Sequence, residues 1–215
     1  STFLHRLLSR DSETFTSLTT WDIYLTPSVT QKKITQFVAR LDKKYLGGFL
    51  HRVLHAFDRA TLGKIKIHQI SFFQPEEDEN IHLHIWDGYF VTFLFPFMDE
   101  FPNYQHFDEA LSPAHKRRIM TFYKSMLQRH MYATGKKYFV AKNPAFSAKI
   151  ETLMEFFPEA RIIYLVRNPL DMLPSTVSWI NYARRQFTDP RETWLYLDEI
   201  VDMTTHWYSH PLKYL

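Results

Sequence analysis

The segment from Arg161 to Ser175 limits the choice of fold more than any other part of the chain. The apolar, β-branched run Ile162 to Val166 ends at Arg167, turns through Asn168-Pro169, and is followed by Ser175 eight residues after the arginine. This order predicts a buried strand with a cation at its carboxyl end, then a helix start that carries a hydroxyl group. Ligands of open α/β sheets bind at that edge, and arginine with serine suits a phosphate. A surface arginine followed by a helix-capping serine is the alternative.

A second strand and helix precede this segment and indicate a parallel sheet. Lys137 to Lys142 has the pattern of a strand, opened by Gly135 and closed by Asn143-Pro144. Phe146 to Phe157 then carries apolar residues at helical spacing. Because strand, helix, strand and helix follow one another with short connections, the region predicts a βαβ unit.

The chain from residue 12 to about residue 130 is predicted to be mainly helical. Periodic or amphipathic patterns mark Val29–Leu41, Tyr45–Phe57 and Pro113–Tyr132. Lys64–Ile70 and Ile81–Trp86 alternate in polarity, as strands do, and Ile81–Trp86 fits a helix equally well. No repeat or linker divides the chain, so we expect one domain.

The first residues predict that this domain continues upstream. Ser1 and Thr2 stand at a helix cap, and the residues that follow on one helical face are apolar: Phe3, Leu4, Leu7 and Leu8. A domain of this kind rarely begins with such a helix. We therefore expect a strand and a glycine-rich turn before Ser1, which also fits the glycine count of 5, and further residues after Leu215.

Composition and charge exclude several classes of protein. With 45% hydrophobic and 17% aromatic residues the chain is globular. The net charge of +3 comes without a basic run, so we expect no nucleic-acid partner. The absence of cysteine excludes disulfides, thiolate catalysis and zinc–thiolate sites. The longest apolar stretch, around Tyr89 to Phe97, is too short to cross a bilayer.

Four motifs in one order resemble the PAPS-dependent sulfotransferase family, where PAPS is 3'-phosphoadenosine 5'-phosphosulfate. Ser1-Thr2-Phe3-Leu4 is similar to the end of the family's phosphate loop and the start of its helix. Val140 to Pro144 resembles a family strand that ends in lysine, and Phe157 to Arg161 matches Phe-Pro-x-Ala-Arg. Arg167 and Ser175 match a strand-end arginine with a serine eight positions later. The resemblance spans nearly the whole chain.

The resemblance implies a three-layer, P-loop-like α/β fold with a central parallel sheet and a helical insertion, in a single domain over residues 1–215. It implies an enzyme that moves a sulfonate group from PAPS to a hydroxyl or amine, with PAP as product and no metal required. The aromatic residues between Phe72 and Phe101 are expected to be mostly core. Any of them that line a pocket would favour a small or lipid-like acceptor, because apolar side chains line most small-molecule sites. If the source is bacterial, we expect a cytoplasmic enzyme.

Four residues are predicted to hold the donor nucleotide. Ser1 and Thr2 lie where N–H groups and hydroxyls at a helix start would receive the 5'-phosphosulfate. The planar guanidinium of Arg167 could donate two hydrogen bonds to the 3'-phosphate, and the hydroxyl of Ser175 could donate another. Both loops are expected at the carboxyl ends of strands in one sheet, where they can face the same ligand.

Sulfuryl transfer also needs charge neutralisation and a base for the acceptor. Lys142 is the predicted second cation, with a solvent-facing lysine as the alternative. The histidine that some family members carry after this lysine is absent. The acidic run Pro75 to Glu79 resembles a motif of bacterial-type members, and clustered acids raise one another's pKa. Glu77 is the first candidate base and Glu76 the second, with a solvated acidic face as the alternative. His68 is a further candidate for the base or its partner, with a hydrogen-bonded polar histidine as the alternative.

Two other functions and one metal site were weighed. A P-loop kinase of a nucleotide or small molecule shares the fold but needs an acidic Mg²⁺ ligand after a strand, and the sequence shows none. A non-catalytic PAP-binding protein stays open because the histidine after Lys142 is absent. On a strand, His82 and His84 would share a face with Asp78, but two histidines without a third fixed ligand are weak evidence for a metal. No metal is predicted.

Overall fold

The computed structural model describes residues 2–64, 70–95, 100–185 and 197–215. The chain is mostly helical and forms two compact units. The first unit contains Ser1–Ile81 and Lys124–Lys142, and the second contains His82–Tyr123 and Asn143–Leu215.

The elements are short or medium in length, apart from two long helices. The α-helices are α1 (Thr2–Leu8), α2 (Thr20–Tyr24), α3 (Val29–Tyr45), α4 (Phe49–Thr61), α5 (Val91–Leu94), α6 (Phe107–Ala110), α7 (Pro113–Thr134), α8 (Ile150–Phe156), α9 (Pro169–Arg184) and α10 (Leu197–Ser209). The strands are β1 (Phe15–Thr16) and β2 (Tyr138–Phe139). The 3₁₀ helices are Leu62–Lys64, Asp78–Ile85, Tyr104–His106, Pro144–Lys149 and His210–Lys213.

The parallel sheet is smaller than the sequence predicts. β1 and β2 pair in parallel, with Phe15 opposite Tyr138 and Thr16 opposite Phe139, and the N–H of Val140 donates to the carbonyl of Thr16 (2.8 Å). The expected strand between Lys137 and Lys142 is thus confirmed over two residues. The three-layer α/β fold with a central sheet is confirmed only in part, since this pair is the whole sheet among the described residues.

The strand expected from Arg161 to Val166 is wrong. This stretch is neither helix nor strand, and the side chains of Ile163 and Val166 are 65% and 64% exposed. Tyr164 holds it to the end of α10, where its hydroxyl donates to the carbonyls of Trp207 and Tyr208 (3.2 Å each). A β-branched run becomes a buried strand only where a neighbouring strand takes up its backbone hydrogen bonds, and no described strand does so.

The helices predicted over Val29–Leu41, Tyr45–Phe57 and Pro113–Tyr132 are confirmed as α3, α4 and α7, the second with a later start. The helix predicted over Phe146–Phe157 is α-helical only from Ile150, after the 3₁₀ helix Pro144–Lys149. α3 begins at a capping box, in which the Ser28 side chain accepts from Gln31 N–H and the Gln31 side chain accepts from Ser28 N–H. After α3 the chain turns through Gly47 and Gly48, both with positive φ, so α4 starts later than its amphipathic pattern suggests. Gly48 has no side chain to cap α4. The carboxylate of Asp42 does so instead, accepting from the N–H groups of Leu50 and His51 (2.9 and 3.0 Å).

In the first unit, α3 and α4 each expose large apolar side chains at helical spacing, among them Ile34, Phe37, Leu41, Phe49, Val53 and Phe57. Single exposed apolar residues are ordinary on a protein surface. A set of this size on adjoining helices marks a surface suited to apolar molecules.

The second unit is organised around buried aromatic residues and the buried carboxylate of Asp108. Tyr89 packs against Phe93 and Trp207, with ring centroids 5.2 Å apart in both pairs. Asp108 of α6 accepts from the N–H groups of Glu151 and Thr152 (2.9 and 3.2 Å) and so caps the start of α8. The aromatic residues at Tyr89 and Phe93 are therefore core rather than the lining of an acceptor pocket.

Candidate active site

A small pocket in the first unit collects several of the predicted site residues. It is lined by Thr2, His5, Arg6, Pro75, Glu76, Glu77 and Lys142. Three separate pieces of chain supply these residues: α1, the acidic run, and the segment that follows β2. The pocket thus combines a hydroxyl, two cations, two carboxylates and an imidazole.

Backbone contacts with the β1 region hold two of these three pieces in place. Pro75 forms an isolated antiparallel bridge with Thr19, and the N–H of Glu76 donates to the carbonyl of Leu18 (3.0 Å). Thr19 is itself fixed as the N-cap of α2 through a capping box with Asp22. Because β2 pairs with β1, the acidic run and the segment that carries Lys142 are both anchored to the same short stretch of chain.

Lys142 and Glu77 are brought together in an ion pair. The Nζ of Lys142 contacts Oε1 of Glu77, and both side chains are partly buried. This excludes the solvent-facing lysine that the sequence left open. Glu76 lies beside the pair, and its Oε1 accepts the N–H of Glu77 (3.0 Å).

The imidazole of His5 faces the same pocket and was not predicted. His5 is 4% exposed, whereas Phe3 on the face expected to be apolar is 80% exposed. The apolar face proposed for α1 is therefore wrong. Thr2, His5 and Arg6 stand three and four residues apart, which is the spacing that places side chains on one side of a helix. This spacing is the sequence signal from which His5 could have been predicted as a site residue.

The His5 ring is held in its neutral form. Burial lowers its pKa, the charge of Lys142 adds to this effect, and a hydrogen bond with the backbone of Val140 and the charge of Glu76 act against it. Its Nε2 is buried and makes no hydrogen bond to any described residue. The His5 side chain lines the pocket, where an imidazole can accept or donate a proton.

The other predicted donor residues lie elsewhere or outside the described chain. Ser1 and His68 are outside the described residues. Arg167 and Ser175 belong to the second unit, and both are exposed. The helix predicted after Arg167 is confirmed as α9.

Two details of that segment differ from the prediction. Arg167 does not end a strand. It precedes the N-cap of α9, and its carbonyl accepts from the hydroxyl of Tyr208 (2.8 Å). The cap itself is Asn168, whose side chain accepts from the N–H of Leu170 (3.0 Å), so the helix-capping role considered for Ser175 is also wrong.

The metal grouping weighed at His82 and His84 does not form. These residues belong to the 3₁₀ helix Asp78–Ile85 rather than a strand, and side chains two apart on such a helix point to different sides. His82 is buried and stacks on Tyr123 with ring centroids 5.6 Å apart, while His84 is exposed.

Within the described part of the chain, no helix combines the length and apolar character that crossing a membrane would require.

Comparison with known proteins gives one family and two relatives. The model of a sulfotransferase family matches residues 1–214. The omega-hydroxy-beta-dihydromenaquinone-9 sulfotransferases of Mycobacterium bovis and Mycobacterium tuberculosis are each 30% identical to the chain over 118 residues. That match covers 50% of this chain and 28% of theirs, so the chain spans well under half the length of these relatives. No solved structure matches the chain.

Proposed function

The chain belongs to the sulfotransferase family, and from this premise we propose that it moves a sulfonate group from PAPS to a hydroxyl group of an acceptor, with an amine as the other acceptor type. The observation that carries the proposal is the pocket of the first unit, where the Lys142–Glu77 pair lies beside Thr2 and His5. Cations for the transferring oxygens and bases for the acceptor are the two requirements of this chemistry.

The donor is proposed to be bound by hydroxyl and cationic groups. Thr2, with Ser1 before it in the chain, and Lys142 suit the 5'-phosphosulfate, since a hydroxyl donates to its oxygens and an ammonium offsets its charge. Arg167 and Ser175 are proposed for the 3'-phosphate. Arg167 is exposed, so its planar guanidinium can contact a phosphate.

The ion pair suggests how the base is released. As the acceptor oxygen bonds to sulfur, the bond from sulfur to the 5'-phosphate oxygen breaks and the acceptor loses its proton. An incoming sulfonate attracts Lys142 away from Glu77, which leaves the Glu77 carboxylate to accept that proton. Glu77 thus remains the first candidate base and Glu76 the second, and neutral His5 joins them as a third.

The acceptor is proposed to be a lipid-like alcohol. Two observations support this class: the mycobacterial relatives act on a hydroxylated menaquinone, and α3 and α4 expose a broad apolar surface. An alcohol with a long apolar tail would bury that tail against such a surface, and its hydroxyl group would remain available for sulfonate transfer.

The test is a transfer assay with PAPS labelled in its sulfonate group. The acceptors are a long-chain isoprenoid alcohol in detergent micelles and a water-soluble phenol. We expect label in the alcohol and PAP as the second product. Transfer of the γ-phosphate of ATP instead would establish the kinase, and tight binding of PAP without transfer to either acceptor would establish a non-catalytic nucleotide-binding protein.

A further inference from the structure

Three histidines and a glutamate gather in the second unit, and we propose that they form a binding site for a divalent transition metal such as Zn²⁺. His106 ends a 3₁₀ helix, Glu109 lies on α6, and His206 lies on α10. Each offers a ligand atom, and these atoms lie within 4.8 Å of one another. Nδ1 of His106 is 3.8 Å and Nδ1 of His206 is 3.9 Å from Oε2 of Glu109.

His210 supplies a fourth ligand. It begins the 3₁₀ helix that continues α10, four residues after His206, so the two rings lie on one side and stack with centroids 4.7 Å apart. Its Nδ1 is 3.6 Å from Oε1 of Glu109. That nitrogen is buried and forms no hydrogen bond with any described residue, which is an unsatisfied position that a metal would fill.

Carboxylates behind two of the rings prepare them for metal binding. Oδ2 of Asp202 is 2.6 Å from Nε2 of His106, and Oδ2 of Asp108 is 3.0 Å from Nε2 of His210. A carboxylate can only accept, so it places the ring proton on Nε2 and leaves the lone pair on Nδ1. In both rings this is the nitrogen near Glu109. Histidines that bind metals usually donate their other ring N–H to a carboxylate in this way, which fixes the orientation of the ring.

The charge state of the cluster agrees with this assignment. The rings of His106 and His206 have centroids 4.0 Å apart, which is too close for two imidazolium cations to be favourable. Neutral imidazoles are the form that binds metals.

The spacing of the ligand atoms is close to that of a loaded site. Tetrahedral Zn²⁺ with nitrogen and oxygen ligands places those atoms about 3.3 Å apart. The Glu109 oxygens lie 3.6 to 3.9 Å from the three imidazole nitrogens, and the ligand atoms of His106, Glu109 and His206 lie within 4.8 Å of one another. Rotations of the half-exposed Glu109 side chain and of the rings would bring them to the spacing of a loaded site. Lys213 now contacts Glu109 (Nζ to Oε1, 3.1 Å), but its side chain is 58% exposed and can turn into water. Three imidazoles favour zinc, cobalt, nickel or copper over magnesium or calcium.

Such a metal would cross-link α6, α10 and the two flanking 3₁₀ helices of the second unit. The role is structural and independent of the proposed sulfuryl transfer. The site uses no thiolate, which explains how a chain without cysteine could still hold zinc.

The experiment titrates Zn²⁺, and separately Co²⁺, into protein that has been stripped with a chelator and dialysed. We expect one equivalent of Zn²⁺ by calorimetry, a rise in Tm with Zn²⁺, and the visible absorption of tetrahedral Co²⁺. Glu109→Gln removes a ligand from a half-exposed position and should abolish these signals. Asp202→Asn, at an exposed supporting carboxylate, should weaken Zn²⁺ binding about tenfold.

His51→Asn is the matched control, because His51 and His55 form an exposed pair four residues apart on α4 and could bind metal on their own. Its Zn²⁺ titration should equal that of the unmodified chain. The proposal is overturned if the unmodified chain takes up no Zn²⁺, if Glu109→Gln binds it as tightly, or if His51→Asn is the variant that loses the metal. His206→Gln is a weaker test because that residue is buried.

Discussion

The ammonium of Lys142 contacts the carboxylate of Glu77 although 65 residues separate them in the chain. One comes from the segment after β2 and the other from the acidic run, and both were predicted as catalytic residues on separate grounds. Their pairing makes each dependent on the other, since neither charge is fully exposed to water. The first two predictions test this dependence.

Replacing Lys142 by Met should lower kcat/KM for sulfonate transfer by about 100-fold, because a charge that stabilises the transferring oxygens is lost. It should also lower the free energy of unfolding by about 1 kcal/mol, because Glu77 remains partly buried without its partner. Steady-state kinetics and urea denaturation measure the two effects. Lys43→Met, at an exposed lysine of the same unit, is the control and should change neither. Equal kinetics in both variants would remove Lys142 from the mechanism.

Replacing Glu77 by Gln should lower kcat by about 100-fold or more and leave the affinity for PAP unchanged, because the amide cannot accept the acceptor's proton. Glu76→Gln and His5→Asn are compared in the same assay. We expect a smaller effect from each. A full loss in His5→Asn with an active Glu77→Gln would assign the base to His5, and three active variants would place the base outside this pocket.

Replacing Arg167 by Ala should weaken PAP binding about 10- to 100-fold, the value of a charged hydrogen-bond pair. The same substitution should leave binding of adenosine 5'-phosphate unchanged, since that nucleotide lacks the 3'-phosphate. Calorimetry with PAP and with adenosine 5'-phosphate measures both affinities and shows whether only the 3'-phosphate contact is lost. Arg161→Ala, at an exposed arginine of the same segment, serves as the control. If Arg167→Ala binds both nucleotides as the unmodified chain does, the 3'-phosphate site lies elsewhere.

The stability of the chain should fall as the pH is lowered from about 6.5 to about 4, partly through His130. Burial lowers the pKa of this histidine to about 4 in the folded state, against the attraction of Asp22 and together with the charge of Lys32. In the unfolded chain it titrates near its ordinary value of 6.5, so the unfolded state binds the proton first and stability is complete only above that pH. The difference corresponds to about 3 kcal/mol between pH 7 and pH 4.

Urea denaturation at pH 7 and pH 4.5 measures this dependence. His130→Gln keeps a hydrogen-bonding group beside Thr16, whose hydroxyl is 2.7 Å from Nε2 of His130, and should reduce the loss of stability at pH 4.5. His51→Gln, at an exposed histidine, should retain the full loss. An unchanged pH dependence in His130→Gln would mean that His130 is not the group responsible.

Several features of this protein followed from local pattern alone. Helices α3 and α7 have boundaries close to those expected, because apolar spacing and capping residues act within a few turns of the chain. The order of short motifs was enough to identify the sulfotransferase family, which the match over residues 1–214 confirms. The same motifs singled out Lys142 and Glu77.

Features that depend on distant partners were not determined by the sequence. The run from Arg161 to Val166 has strand composition, yet a strand needs a neighbour, and the described chain supplies none there. α1 turns His5 into the unit and Phe3 outward, the reverse of its hydropathy. His106, Glu109 and His206 lie on three different elements, so no local sequence pattern could predict that they come together. Local hydrogen bonding and side-chain spacing depend on neighbouring residues, so they can be predicted from the sequence. Burial and long-range pairing depend on which surfaces the folded chain brings into contact, and only the tertiary structure decides that.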